Sequence, residues 1–193
     1  MKKSGPAIFM DIVIALMLCT AGVCFALYYS AAAPFGWVLW TGIAAFCIVY
    51  HFKMRLIMGE ITKKRGVSYT HPWFRERRFE KRLYKLLCVR KWRGKILTYD
   101  PDAFDIKKHT LPEIADAMSK AECDHWINEL ISLSTIAFGL IFGQMWIFVT
   151  TAIVGMLFDG QFIVVQRYNR PTVVRLIKKG VLRLSDMPTE EQR

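Results

Sequence analysis

Four long apolar stretches constrain this 193-residue chain more than any other feature of its sequence. They cover residues 8–29, 35–58, 127–142 and 145–165, and the second includes Lys53 and Arg55, whose long side chains can reach toward a membrane surface. A helix needs roughly 20 mainly apolar residues to cross a bilayer. The pattern therefore predicts an all-α integral membrane protein, with four transmembrane helices in one membrane domain, residues 1–193.

Two of these stretches leave alternatives open. The third is short and begins with Asn128 and Glu129, so it could stop short of crossing, or form a re-entrant hairpin with the fourth. The first follows two lysines, as a cleaved signal peptide does, but Asp11 interrupts it and it is long for a signal core. We expect four retained spans.

The positive charges are distributed very unevenly along the chain. Of its 27 Lys and Arg residues, two lie at the start, 18 lie within 53–120 and seven lie from Arg167 onward, against 16 Asp and Glu in all. Cytoplasmic segments of membrane proteins carry an excess of Lys and Arg. With four spans, this tendency predicts a multi-pass cell-membrane protein with a cytoplasmic loop at 59–126, a cytoplasmic tail at 166–193 and both termini in the cytoplasm.

Familiar soluble-enzyme signals are missing from the sequence. Five cysteines form no disulfide framework or zinc-ligand spacing, and neither a glycine-rich phosphate loop nor an internal repeat is present. We therefore expect no metal site and no bound cofactor.

The basic loop combines positive charge with aromatic residues. On a helix, Phe79, Leu83, Leu86 and Leu87 share one apolar stripe opposite much of the charge, which predicts an amphipathic helix in the head-group plane. Nucleic acid is the rival partner for such a stretch. Because membrane spans flank the loop, we expect lipid or an anionic substrate and no nucleic acid.

A second helix start is visible after this loop. Thr110 and Glu113 have the spacing of a capping box, so a helix should run from about Leu111 into the third span. One face of that helix carries Glu122 and His125, three residues apart and close enough for the carboxylate to orient the imidazole. The alternative is a structural pair that bridges to the basic loop.

Hydrogen-bonding residues crowd the point where the fourth stretch ends, in the sequence VQRYNRP (165–171). Arg167, Tyr168 and Arg170 could be interfacial anchors, with Pro171 ending the helix. They could instead form a binding site at the membrane surface.

Three motifs occur together in one known family: VRKWRGKIL (89–97), AECDHW (121–126) and VQRYNRP (165–171). Over roughly residues 86–182 the chain resembles glycosyl-4,4'-diaponeurosporenoate acyltransferases. The family pattern commonly has a basic residue after the proline, where this chain has Thr172. The resemblance implies a membrane acyltransferase that esterifies a sugar hydroxyl of a glycosylated carotenoid or lipid, with acyl-CoA or acyl-carrier protein as donor.

This chemistry suggests roles for individual residues. Acyl transfer to an alcohol needs a base and oxyanion-stabilising donors. His125 with Glu122 could supply the base. Donors to the oxyanion or to the phosphates of an acyl carrier could come from Arg167, Asn169 and Arg170. The further candidates for substrate binding are Gln166, Tyr168, Arg90, Lys91, Trp92, Lys95 and Asp159, the last of which should turn inward from lipid. The alternative function is a non-enzymatic membrane scaffold or anionic-lipid-binding protein.

Overall fold

The computed structural model describes residues 5–96 and 102–180, and within these ranges every regular element is helical. Six α-helices follow in order: α1 Gly5–Tyr29, α2 Gly36–Thr62, α3 Glu80–Leu86, α4 Val89–Trp92, α5 Leu111–Phe142 and α6 Met145–Lys178. Short 3-10 helices lie at Pro72–Phe74, Arg93–Lys95 and Asp102–Phe104. The sequence is polar and irregular from 97 to 109, which predicts a connecting loop, and residues 97–101 of this loop lie outside the described residues.

Four of these helices are long and apolar enough to cross a membrane, namely α1, α2, α5 and α6. Large apolar side chains remain exposed along all four, for example Leu16, Trp37, Leu140 and Leu157. Lipid tails can surround such faces, whereas water would penalise their exposure. The predicted all-α fold with four spans is confirmed, and the third span is an unbroken part of the 32-residue α5.

The chain divides into two compact units, the first formed by residues 1–64 and 126–160 and the second by 65–125 and 161–193. The core of the first unit contains Ile43, Cys47, Ile147 and Phe148, with Phe138 packed against it. The core of the second contains Tyr84, Val89 and Val165. The single membrane domain expected from the sequence stays a prediction.

Close backbone approach shapes the turn between α5 and α6. Gly143 has a φ of +72° and Gln144 a φ of +53°, so two left-handed residues reverse the chain. A Cβ on Gly139 would lie 2.7 Å from Met145 Sδ and 3.2 Å from Phe148 Cδ2. A tight link therefore joins the two helices.

The predicted helix start at Leu111 is also confirmed. The Thr110 backbone N–H donates to Glu113 Oε2 at 2.7 Å, and the Glu113 N–H donates to Thr110 Oγ1 at 3.4 Å. This reciprocal pair satisfies donors that the first helical turn leaves unpaired.

The prediction that Pro171 ends the last helix is wrong. Helix α6 continues through Pro171 to Lys178. The fixed φ of proline is compatible with a helix, but proline lacks the N–H donor and its ring crowds the carbonyl four residues earlier, so the surrounding structure must stabilise this turn. The side chains of Arg167 and Arg170, in the turn before the proline, are anchored to other parts of the second unit. These contacts hold the turn in helical geometry.

The short helix α3 carries the predicted amphipathic stripe. Phe79 is 57% exposed and Leu86 is 81% exposed, with Leu83 and Leu87 exposed beside them. Cys88, with a φ of +49°, separates α3 from α4. Leu83 and Leu86 lie on the seven-residue helix, while Phe79 and Leu87 flank its two ends, and the partner of the stripe at a membrane surface stays a prediction.

Candidate functional site

A fully buried carboxylate organises the second unit. Glu122 of α5 is 0% exposed, and each of its oxygens meets a guanidinium group of α6. Arg167 Nε donates to Oε1 at 2.7 Å, and Arg170 Nη1 lies 2.7 Å from Oε2. The two arginines are three residues apart on a helix, so they share a face and reach the same carboxylate.

A second buried acid extends this cluster. Glu80, 3% exposed at the start of α3, forms an ion pair with Arg167 and accepts a hydrogen bond of 3.0 Å from Tyr84 Oη. Burial raises the pKa of Tyr84 above its ordinary value, and the nearby charge of Glu80 raises it further. We call Glu80, Glu122, Arg167 and Arg170 the arginine–glutamate network. Its two acids and two bases have formal charges that cancel.

The same arginines hold the backbone of the basic loop. Arg167 Nη2 donates to the Trp73 carbonyl at 2.8 Å, and Arg170 Nη2 donates to the Phe74 carbonyl at 3.1 Å. Each guanidinium also lies against the ring of the residue whose carbonyl it binds, at 5.7 Å for Trp73 and 4.8 Å for Phe74. Both arginines are thus tied to the loop backbone as well as to the Glu122 carboxylate.

The residues between these arginines have separate partners. Asn169 Oδ1 accepts a hydrogen bond from Arg93, whose guanidinium lies 5.0 Å from the Tyr168 ring centroid. Tyr168 also packs edge-on against Tyr84, with ring centroids 5.3 Å apart. Gln166 is half-buried. The polar motif therefore joins α6 to α3 and to the Arg93–Lys95 turn.

His125, the predicted base, is half-buried on α5. Its ring stacks on Phe162 with centroids 4.5 Å apart and planes inclined by 5°. This stacking restrains the plane of the imidazole ring. Both ring nitrogens lie at the edge of the ring, where hydrogen bonds form. The structure gives Glu122 two arginine partners, so orienting His125 is at most one of its roles.

The other predicted loop residues differ in placement. Arg90, Lys91 and Lys95 are exposed, as a surface that attracts anions requires. Trp92 instead packs against the core of the second unit and donates through Nε1 to the Leu87 carbonyl at 2.8 Å.

Asp159 belongs to the first unit, whereas the other predicted site residues belong to the second. It is 1% exposed, forms an ion pair with Arg55 and accepts a hydrogen bond of 3.1 Å from Asn128 Nδ2. The inward orientation expected for it is observed.

Sequence reasoning missed several members of these clusters. Glu80 is one of two acids, with Glu76, in the strongly basic segment 63–95, which was a usable signal for a buried partner. The sequence suggests only a snorkelling role for Arg55, and it offers no local partner for His51, which is 6% exposed. Their pairing partners lie about 80 to 100 positions away in the sequence, so local spacing could not reveal them.

Within the described ranges, no group of three or more His, Cys, Asp or Glu side chains is placed to hold a metal ion. The fold and site define a helical membrane protein whose second unit is built around buried carboxylate–guanidinium pairs.

The family model of glycosyl-4,4'-diaponeurosporenoate acyltransferase matches residues 70–179, more than half of the chain. The chain belongs to this family. The matched segment contains the whole arginine–glutamate network and His125. No curated protein and no solved structure matches the chain.

Proposed function

We propose that this protein transfers a fatty acyl group to a sugar hydroxyl of a glycosylated carotenoid or related glycolipid. The observation that carries the proposal is the family match over residues 70–179, which contains both His125 and the arginine–glutamate network. Four spans suit an acceptor that is itself dissolved in the bilayer.

In the proposed reaction, His125 accepts the proton of the sugar hydroxyl as its oxygen attacks the carbonyl carbon of an acyl thioester. A C–O bond forms and the C–S bond breaks. The imidazolium then returns the proton to the departing thiolate, so the histidine is regenerated. Stacking on Phe162 supports this role because it restricts the imidazole to one plane before substrate binds.

The arginines of the network have a different role in this proposal from the one the sequence suggested. Arg167 and Arg170 are already engaged by carboxylates and backbone carbonyls, so we assign them as positioning residues that fix α5, α6 and the loop. Asn169 is the better candidate to stabilise the oxyanion. Its Oδ1 accepts a hydrogen bond from Arg93, and the Asn169 amide nitrogen is a hydrogen-bond donor.

The acyl donor is proposed to be acyl-CoA or acyl-carrier protein. Both are acidic, and the exposed side chains of Arg90, Lys91 and Lys95 would attract either one. Trp92 is better assigned to packing, since it contributes to the core of the second unit.

The experiment uses cells that make a glycosylated carotenoid acid and express the chain or its variants. Mass spectrometry of extracted pigments should detect the acyl ester with the wild-type chain, and His125→Ala should remove it while the protein still accumulates in membranes. His109→Ala is the matched control, because His109 is a 41% exposed histidine of the same unit. It should leave the ester yield unchanged.

Unaltered ester formation by His125→Ala would reject the role of this residue. Failure of the wild-type chain to form any ester, with glycosylated acceptor present, would reject the function.

A second candidate is a non-enzymatic protein that binds anionic lipid. The exposed stripe of Phe79, Leu83, Leu86 and Leu87 beside exposed basic residues favours it. Charge-preserving changes at Arg167 or Arg170 do not separate the two functions, since lysine would disrupt the network in either case. The pigment assay separates them directly.

A further inference from the structure

The first unit contains a polar cluster between otherwise apolar helices. Its members come from three candidate spans: His51 and Arg55 from α2, Asn128, Glu129 and Ser132 from α5, and Asp159 from α6. Besides the contacts of Asp159 with Arg55 and Asn128, His51 Nδ1 lies 3.5 Å from Ser132 Oγ. Ser132 is 0% exposed. We call these six residues the intramembrane cluster.

Placing ionisable side chains inside a membrane costs free energy. Insertion of a charged side chain at the centre of a spanning helix costs roughly 2.5–3.5 kcal/mol, and apolar residues of similar volume often replace a buried ion pair without loss of stability. Packing alone therefore gives little reason to keep arginine, acids and histidine together here. Ionisable groups at this depth commonly mark a path or a site for a polar ligand.

Two nitrogens of the cluster have no hydrogen-bond partner among the described residues: His51 Nε2 and Arg55 Nε. The Arg55 side chain is only 10% exposed, so water outside the protein does not readily satisfy it. The guanidinium Nε–H can only donate, and the imidazole nitrogen can donate or accept. His51 and Arg55 are four residues apart on α2, so both face the same side. A ligand that binds both nitrogens must carry oxygen atoms that accept hydrogen bonds.

The helix opposite these donors approaches closely. A Cβ on Gly155 of α6 would lie 2.7 Å from Ser132 Oγ and 3.2 Å from His51 Cε1. A Cβ on Gly160 would lie 3.5 Å from Glu129 Oε1. Glycines five positions apart thus bring the backbone of α6 against the cluster.

The cluster lies inside the spans and not at their loop ends. Trp40 Nε1 donates to Gln144 Oε1 at 3.0 Å, so the start of α2 and the α5–α6 turn are at the same end of the unit. His51 lies 15 residues after the start of α2, Asn128 lies 14 residues before the end of α5, and Asp159 lies 14 residues after the start of α6. At 1.5 Å per residue, such a length of helix spans ~20 Å. A hydrocarbon core is ~30 Å thick, so the cluster is within ~10 Å of the opposite boundary.

The charges of the cluster favour a neutral ligand over an anionic one. The cluster contains one guanidinium and two carboxylic side chains, Asp159 and Glu129, so a phosphate or free carboxylate would add a further negative group. Sugar hydroxyls both donate and accept. They could donate to the carboxylates and accept from Arg55 Nε and His51 Nε2.

We propose that the intramembrane cluster is a binding site for the neutral sugar head of a membrane-dissolved glycolipid or glycosylated isoprenoid. The choice of this ligand class rests on the proposed acyl transfer to a glycosylated acceptor. The apolar chain of the ligand remains among the spans while its hydroxyls bind His51, Arg55 and Asp159.

The test measures binding to the full chain in phosphatidylcholine nanodiscs. The probe is radiolabelled octadecyl β-glucoside, compared with octadecyl phosphate and octadecanol, which have the same chain. We expect saturable glucoside binding, weaker phosphate binding, and at least about tenfold weaker glucoside binding in His51→Phe, which removes the hydrogen-bonding nitrogens and retains a ring.

Arg55 is tested in the pair Arg55→Met with Asp159→Asn, which removes both members of the ion pair together. Lys53→Met is the matched control, because it removes a charge from an exposed position of the same helix. The double variant should lose glucoside binding and the control should retain it. Each variant is first checked for a cooperative thermal transition.

Glucoside binding that is unchanged in both His51→Phe and the double variant would overturn the proposal, as would tighter binding of octadecyl phosphate. His125→Ala should bind the glucoside normally and form no ester. If binding is absent while wild-type cells still form the ester, the site fails and the proposed function stands. If binding is present without ester formation, the site stands and the function fails.

Discussion

Glu122 offers the sharpest test of how the second unit is held together. Replacing it by glutamine changes the shape of the side chain little but removes its negative charge. This carboxylate is 0% exposed and contacts the guanidinium groups of Arg167 and Arg170, which are 12% and 3% exposed. No bulk water is available there to compensate the lost charge.

The size of the effect follows from the charge balance of the network. The native network has two carboxylates and two guanidiniums, so Glu122→Gln leaves one buried positive charge in excess. Arg167 keeps its ion pair with Glu80. Arg170 loses the one carboxylate with which it pairs in the described part of the chain. Breaking a buried pair from one side costs about 3–5 kcal/mol, and we expect a loss in that range.

The assay is thermal unfolding of the purified protein in detergent, with Asp124→Asn as the matched control. Asp124 pairs with Lys120 at 2.7 Å on the same helix, but both side chains are about one-third exposed, at 32% and 29%. An exposed pair of this kind contributes about 1 kcal/mol or less. Glu122→Gln should therefore lower the unfolding temperature several times more than the control.

Equal unfolding temperatures for Glu122→Gln and Asp124→Asn would refute the reasoning. A second variant tests its cause. Adding Arg170→Met to Glu122→Gln removes the uncompensated charge and should restore part of the lost stability, because an apolar residue of similar length tolerates burial. No recovery would mean that charge imbalance is not the origin of the loss.

Two further predictions concern other parts of the fold. Burial and Glu80 raise the pKa of Tyr84, so its neutral form stabilises the folded state at lower pH, and this contribution should be lost as pH rises above about 10, the unfolded value. Unfolding temperatures measured from pH 8 to 11 should fall more steeply for the wild-type chain than for Tyr84→Phe; parallel curves would contradict this. Gly139→Ala should cost about 1–3 kcal/mol, since its Cβ would meet Met145 Sδ at 2.7 Å, whereas Gly59→Ala, with nothing within 4 Å, should stabilise α2 by up to about 1 kcal/mol. Chemical denaturation of the two variants in detergent checks both, and equal stability of the two would be the contrary result.

Local patterns predicted the helices well because each pattern acts within a few residues. Apolar runs of the length of a bilayer marked the four spans, and the Thr110 and Glu113 spacing marked the start of α5. The apolar stripe of Phe79, Leu83, Leu86 and Leu87 was also visible as a helical repeat. Each of these features depends on neighbours that are close in the sequence.

Pro171 shows the limit of local rules. A proline after an apolar run usually signals the end of a helix, yet α6 continues for seven more residues. The side chains in the preceding turn are fixed by carbonyls of residues 73 and 74, and no pattern near Pro171 contains that information.

The sequence by itself determined the class of protein, the positions of its spans and the motifs that mark its family, because hydrophobic length and motif spacing are local properties. Only the tertiary structure decided which charges meet. Arg167 and Arg170 looked like ligands for a substrate, and the structure pairs them with Glu122 and Glu80. His51 looked isolated, and the structure buries it beside Arg55. A buried charge is stabilised by whichever partner the fold brings within a few ångströms, and that partner can lie anywhere along the chain.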